Sequence, residues 1–405
     1  MTLIKPFRAL RPAPGRAGEV LAPPYDVLSS AEARERAKGK PWNFLHVSKA
    51  EIDLAPSTDP YDAAVYAKAA DNLHAMNTAG VLMRDARPCY YVYRLTWRGR
   101  TQTGLAAVAS LDAYVANRVR KHELTTPTKE DDRVRQIEAV NAQTGPVMMA
   151  YPEAPQLDAA LARAASGSAA VDFTADDGVR HQLWVIDGDT AIAELTRMVD
   201  ALPALYIADG HHRSAAALRV AEARGGDGAH RYFLSVLFPK AEMTILDYNR
   251  VLRDLNGHSS EKLLAELRDT YTVEPSDGAV RPSEAREVGM VLGGRWYRLV
   301  LRSAPHSADP IERLPITLLT RNLIEPIFGI TDPRTDKRID FVGGGRGLGE
   351  LERLVASGAA AAAFALYPTQ MDDLMAVADA GAIMPPKSTW FEPKLADGMV
   401  SHVLD

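Results

Sequence analysis

The segment LYIADGHHRSAAALRV, Leu205–Val220, sets an acid, a glycine, two histidines and an arginine side by side where strand-forming residues give way to an alanine-rich run. Leu205 to Ala208 reads as a strand and Ser214 to Arg224 as a helix, with Ala217, Leu218 and Ala221 available to pack. Gly210 permits a backbone geometry that other residues resist. Asp209 to Arg213 therefore stand at a helix N-terminus, where unpaired N–H groups and the positive end of the dipole favour an anion. Arg213 adds a planar fork that matches two phosphate oxygens. Asp209 runs against this trend, and fits if it caps the helix, binds Mg²⁺ or takes a proton. His211 and His212 cannot converge on one point, because adjacent helical side chains diverge by about 100° and adjacent extended ones point oppositely. One ion chelated by both is disfavoured. One ring should face the site and the other brace the loop. His212 is nearer the free amides expected at residues 212–214. A purely structural reading has Asp209 as a cap, both histidines bonded locally and Arg213 on the surface.

Two further stretches carry chemistry. KHELTTPTKEDDR, Lys121–Arg133, concentrates Lys121, His122, Glu123, Lys129, Glu130, Asp131, Asp132 and Arg133. A solvated helix with pairs such as Asp131–Arg135 accounts for its second half. It does not account for Lys-His-Glu, which follow a strand and precede a Pro-containing loop. Lys387, Ser388 and Thr389 offer a cation and two hydroxyls after Pro385-Pro386, an approach suited to a phosphate. An ordinary loop explains them equally well.

The elements that must position these residues are mixed. LAPPYDVLS, Leu21–Ser29, reads as a structured loop, since Pro-Pro cannot sit inside a helix. Ala31–Lys38 and Tyr61–Ala79 look helical. Cys89–Trp97 and Thr101–Leu111 form a hairpin turning at Gly99. Thr128 is expected to cap a helix, with Asp131 three residues on and Val134, Ile137 and Val140 buried. Val171–Ile186 reads as a second hairpin around Asp177-Gly178. Ala191–Leu202 is helical and Arg231–Phe238 a strand. Beyond Ile245 follow a helix at Ser260–Thr270, a hairpin over Val288–Val300 and a helix from Leu314 ending at Pro326. A strand at Arg338–Val342, a helix at Gly349–Ser357 and a buried strand or short helix at Ala359–Leu366 complete the pass. Without strict β-α alternation, a doubly wound parallel sheet is disfavoured and the class is α+β, a mixed-sheet α/β arrangement. The 405 residues suggest two or three domains. Divisions are expected at 1–150, 151–243 and 244–405.

Several chemistries are excluded. There is no P-loop, no H-E-x-x-H and no G-x-S-x-G. The glycines of FVGGGRGLGE, Phe341–Glu350, do not fit G-x-G-x-x-G, and a turn before a helix suffices. A net charge of -5 supplies no global basic field, which argues against nucleic acid or anionic lipid as a partner. The single Cys89 excludes an internal disulfide and any multi-cysteine metal site, and suits a reducing compartment. No signal-peptide pattern and no apolar run of about 20 residues is present. A cytoplasmic protein is expected, with no membrane partner.

Four pieces, LAPPYDV, KHELTTPTKEDDR, ADGHHR and MPPKSTWFEPK, in this order over most of the chain, resemble a bacterial and archaeal family labelled only as a domain of unknown function. GHHR is also similar to the G-x-H-R signature of the ParB/sulfiredoxin-like superfamily. Members of that superfamily bind nucleotides or phosphates at a strand–loop–helix junction, and some are free L-serine kinases. The resemblance implies a ParB/sulfiredoxin-like core and a phosphoryl-transfer or nucleotide site. It implies phosphate contacts from Gly210, His211, His212 and Arg213, with Asp209 at the acidic position before them. The sulfiredoxin cysteine is absent, so sulfinic-acid reduction is not expected. Phosphoryl transfer needs mainly positioning and charge neutralisation. The expected phosphate-binding set is Gly210, His212, Arg213, Ser214, Lys129, Arg133, Lys387 and Ser388. The catalytic set is Asp209, His211 and Glu123, with Asp209 also on Mg²⁺, and Asp26 and Glu19 as other candidate carboxylates. Tyr25, Asp26 and His122 are placed toward a small-molecule substrate. The expected donor is pyrophosphate, ATP or ADP, and the acceptor free L-serine. A homodimer is allowed. The rival readings are a ParB-like nucleotide-binding protein acting with nucleic acid, and a non-catalytic scaffold.

Overall fold

A computed structural model describes residues 1–303 and 307–405. The chain forms two compact units, residues 1–243 with 393–405, and residues 244–392. The fold is α+β.

The first unit is built on a nine-stranded mixed sheet. Its strands are β1 (Ile4–Lys5), β2 (Tyr90–Trp97), β3 (Arg100–Ser110), β4 (Val119–Arg120), β5 (Val147–Tyr151), β6 (Val171–Thr174), β7 (Arg180–Ile186), β8 (Leu205–Asp209) and β9 (Tyr232–Pro239). They lie in the order β4-β8-β5-β9-β3-β2-β7-β6, with β1 alongside β3. Two pairings are parallel, β4 with β8 and β5 with β9; the rest are antiparallel. The β2–β3 hairpin turns at Arg98-Gly99, both with positive φ, as a two-residue turn matched to strand twist requires. The expected division near residue 150 runs through this sheet. β5 lies between β8 and β9, so residues 1–150 and 151–243 share one hydrogen-bonded layer and one core. The expected step at 243/244 coincides with the division between units, but 393–405 returns to the first. There Ser401–Val403 pairs with Ala9–Pro12 and Ala142–Gln143.

Two helices, α1 (Pro127–Val140) and α2 (His211–Arg224), pack together through Ile137, Ala216 and Val220, with Leu404 filling the seam. Burial of Ile137, Val220 and Leu404 contributes about 1.5–3 kcal/mol each. Both helices start earlier than their sequences suggest. α1 begins at Pro127, with Thr126 rather than Thr128 at the N-cap position. Proline suits the first helical position because its missing N–H would be unpaired there anyway. α2 begins at His211 rather than Ser214, since Gly210 makes the turn in a single residue.

The second unit carries a six-stranded antiparallel sheet. Its order is Tyr271–Ser276, Arg295–Leu301, Glu287–Leu292, Ala362–Leu366, Tyr248–Leu252, Ile339–Gly343. Ala362–Leu366 is thus a strand, fully buried. The helix from Pro315 does not stop at Pro326. A π-turn over Thr320–Ile324 precedes Glu325–Phe328 and places Pro326 at the start of a fresh turn, where no donor is needed. No helix among the described residues is long and apolar enough to cross a membrane.

Candidate functional site

The end of β8 is bent before α2 begins. Its pairing with β5 slips between Ile207 and Asp209, a bulge of the kind that re-aims a side chain. Gly210 follows with φ 101° and ψ 27°, a region L side chains rarely adopt. A Cβ there would stand 3.3 Å from both the Val147 Cα and the Arg213 guanidinium. Glycine is therefore needed twice, for its backbone angle and for the approach of Arg213 beneath it.

Arg213 folds back into the unit, its side chain 10% exposed. One terminal nitrogen donates to the Pro146 carbonyl, and the other lies 3.2 Å from an Asp209 oxygen and 3.4 Å from Asp26. Burial opposes its charge, and the surrounding Asp26, Asp209, Tyr25 and Asp397 more than restore it. Asp209 has a second cation, Lys394, at 3.5 Å. Burial pushes the Asp209 carboxyl up, but Lys394 and Arg213 hold it well below the usual carboxylate range. Asp209 is consequently a fixed anion and a weak base. The expected Mg²⁺ on Asp209 does not fit, because two protein cations already occupy the flanks of a single carboxylate. Asp397, 1% exposed, faces the same arginine. Its Oδ2 accepts from the Tyr25 amide at 3.3 Å. Burial pushes this carboxyl up to about 7.

The two histidines diverge as adjacent helical residues must. His212 accepts from the Thr126 amide at 3.1 Å through Nε2, which leaves the proton on Nδ1. Burial, with Lys129 nearby, lowers its pKa to about 4, so the ring is neutral at pH 7. His211 turns inward, 4% exposed, onto His122, with ring centroids 4.5 Å apart and planes at 88°. Its Nδ1 lies 3.8 Å from Glu123. The parallel pairing of β4 with β8 explains this meeting. It carries Lys121–Glu123 past the same end of the sheet as Asp209–His211.

The expected open amides at 212–214 are corrected by the early helix start. The Arg213 and Ser214 amides both donate to the Gly210 carbonyl, at 2.9 and 3.1 Å. This restricts open donors to the first two amides of α2. Ser214 is fully buried, and its hydroxyl donates to the His211 carbonyl at 3.0 Å, so it offers nothing to an anion.

Beside this junction lies a cleft of about 280 Å³ lined by Tyr25, Asp26, Lys49, Lys129, Arg133 and His212, among others. Arg133 stacks 3.8 Å over the Tyr25 ring and is tied to Asp132 at 2.6 Å. Of the residues singled out in the sequence, Tyr25, Asp26, Lys129, Arg133, His212 and Arg213 gather around this cleft and its floor. Glu123, His122 and His211 form a neighbouring cluster. Glu19 is exposed and engaged with Arg16 at 2.7 Å. Lys387 and Ser388 belong to the second unit, where Lys387 sits 5.7 Å over the Tyr248 ring and the Ser388 hydroxyl donates to the Pro385 carbonyl. Lys394 and Asp397 were missed. No local pattern marks them; they reach the site only because residues 393–405 return to the first unit.

Solved structures share parts of this fold at low similarity. C-terminally truncated SbnI from Staphylococcus aureus is 13% identical, covering 73% of this chain and 86% of its own, with a TM-score of 0.37. A conserved hypothetical protein from Pyrococcus furiosus is 14% identical, covering 69% of this chain and 90% of its own, at 0.34. A free serine kinase in complex with AMP is 12% identical, covering 68% and 84%, at 0.33. At these scores neither a site nor an activity transfers. A comparison with curated proteins gave no match. The model of the family described as "Protein of unknown function (DUF1015)" matches residues 4–317, and the chain belongs to that family.

Proposed function

We propose that the protein is a phosphotransferase that moves a phosphoryl group from a nucleotide or pyrophosphate to a small-molecule hydroxyl, free L-serine being the first acceptor to test. One observation carries this reading. Four segments far apart in sequence bring Tyr25 and Asp26, Lys129 and Arg133, His212 and Arg213, and Lys394 and Asp397 to one helix start and one cleft. Such an arrangement suits an anionic ligand, because cations and oriented amides stabilise charge without having to move. The cleft volume is near the lower end of small-ligand pockets, which run about 300–1,000 Å³. That favours a compact donor end and a compact acceptor.

In this reading Lys129, the first amides of α2 and the Nδ1–H of His212 hold phosphate oxygens. Arg213 fixes Asp209 and the floor of the cleft. Glu123, half exposed, is better placed than Asp209 to take the hydroxyl proton, since Asp209 is locked between two cations. Mg²⁺ would arrive on the donor phosphates, where it is usually held with only one or two protein carboxylates.

The test is incubation with L-serine, Mg²⁺ and, in turn, ATP, ADP and pyrophosphate, with phosphoserine read by mass. No product with any donor removes serine as acceptor. Donor binding is measured separately. Lys129→Ala, at an exposed position, should weaken it about tenfold or more, the worth of a hydrogen bond to a charged group. Unchanged affinity would place the donor elsewhere.

A further inference from the structure

His122, Glu123 and His211 form a cluster that phosphate binding does not use. One ligand atom from each lies within 4.8 Å of the other two. His122 is 2% exposed and His211 4%, while Glu123 is open to solvent on one side. Neither ring nitrogen of His122 makes a hydrogen bond of acceptable geometry, although the Ile207 backbone acts on its charge. An imidazole buried without a well-formed hydrogen bond at either nitrogen is costly and calls for an explanation. The single bond recorded for His211 Nε2, from the His122 amide, is 3.5 Å long, at the outer limit of a hydrogen bond.

We propose that His122, Glu123 and His211 bind a divalent transition-metal ion of the zinc class, with at least one coordination position left open. Two imidazoles and a carboxylate are nitrogen-rich ligands of intermediate softness. They suit Zn²⁺, Co²⁺ or Mn²⁺ and not Mg²⁺, which prefers oxygen. Zn–N distances of about 2.0–2.1 Å place tetrahedral ligands roughly 3.4 Å apart. The observed spread of at most 4.8 Å therefore has to close by up to about 1.4 Å; Glu123, already 3.8 Å from His211, is the exposed and most adjustable of the three. The weak His122 amide contact is the one that yields, because a metal on Nδ1 shifts the ring proton to Nε2. Asp209 favours positive charge on both rings and supplies an outer negative group. Three protein ligands leave a position for water or a substrate oxygen, the pattern of reactive rather than structural sites. The inference stands without the phosphoryl-transfer reading; if both hold, an ion held by Glu123 sits beside the acceptor.

The 405-residue protein, stripped with chelator, is titrated with Co²⁺ by calorimetry and visible absorption. One ion per chain is expected, with the strong visible bands of a four- or five-coordinate ion, and excess Mg²⁺ should not displace it. Loss of an outer-shell partner already costs about 10–100-fold in metal affinity, so Glu123→Gln and His122→Ala should each cost at least about tenfold. His74→Ala, an exposed histidine outside the cluster, should cost nothing. Thermal melting reports whether each variant folds, and Glu123→Gln, at an exposed site, keeps the test decisive should His122→Ala not fold. A weak octahedral spectrum, or equal affinity in the native protein and Glu123→Gln, overturns the proposal. No serine or phosphoryl donor enters the assay, so its outcome is independent of the kinase test.

Discussion

Asp397→Asn should remove a pH-dependent loss of stability built into the first unit. In the folded protein burial pushes the Asp397 carboxyl up to about 7, despite the pull of Arg213. An unfolded aspartate titrates near 3.9. The folded state thus binds this proton more tightly than the unfolded one. Its stabilising contribution is complete below about pH 4 and is lost as pH rises toward about 7. A difference of about three units corresponds to about 4 kcal/mol. The attraction of Arg213 is already contained in that figure, so asparagine, with nearly the same shape and no charge, should flatten the profile. Urea unfolding between about pH 4 and pH 8, followed by the fluorescence of Trp42, Trp97 and Trp184 in the first unit, measures it. The variant should gain on the native protein by about 4 kcal/mol across this window. Parallel profiles would mean that Asp397 is ionised throughout, and that the argument from its burial is wrong.

Arg213→Ala leaves Asp209 with Lys394 alone and Asp397 without its arginine. Removing one partner of a buried ion pair costs about 3–5 kcal/mol, so this variant should melt well below the native protein, and an equal melting temperature would refute the assigned partners. Gly210→Ala forces a side chain into a left-handed backbone against Val147 and Arg213. It should cost about 1–3 kcal/mol in urea unfolding and disturb anion binding; a neutral effect would show that the strand-to-helix turn is not fixed as described.

The sequence made the local elements plain where side-chain type and turn chemistry agree. The β2–β3 hairpin combines aromatic and β-branched strands with an Arg-Gly turn, and the strand at Leu205 is uninterrupted apolar. The start of α2 was misjudged because His-His-Arg carries no capping signature; only the left-handed glycine shows where the helix begins. The divergence of His211 from His212 followed from helix geometry alone. That His211 would meet His122 did not, since it depends on β4 pairing parallel to β8, a long-range choice no local pattern encodes. Lys394 and Asp397 escaped for the same reason. They are ordinary loop residues until the chain returns them to the sheet, whereas Lys387 and Ser388, with more suggestive neighbours, stay in the other unit.

The first unit is interrupted, and this has a consequence for how it can form. Residues 244–392 fold between its two parts. The counter-ion of Asp209 and the buried acid beside Arg213 both come from the later part, at Lys394 and Asp397. During synthesis the DGHHR turn therefore emerges long before its electrostatic partners. Until Lys394 and Asp397 arrive, the arginine and aspartate of the turn have as partners each other, Asp26 and the Pro146 carbonyl. The same returning segment that carries Lys394 and Asp397 also carries Ser401–Val403, the strand that lies between Ala9–Pro12 and Ala142–Gln143. The entropy of closing so long a loop rises only slowly with its length, which lets a large insertion in the sequence separate two segments that build one site.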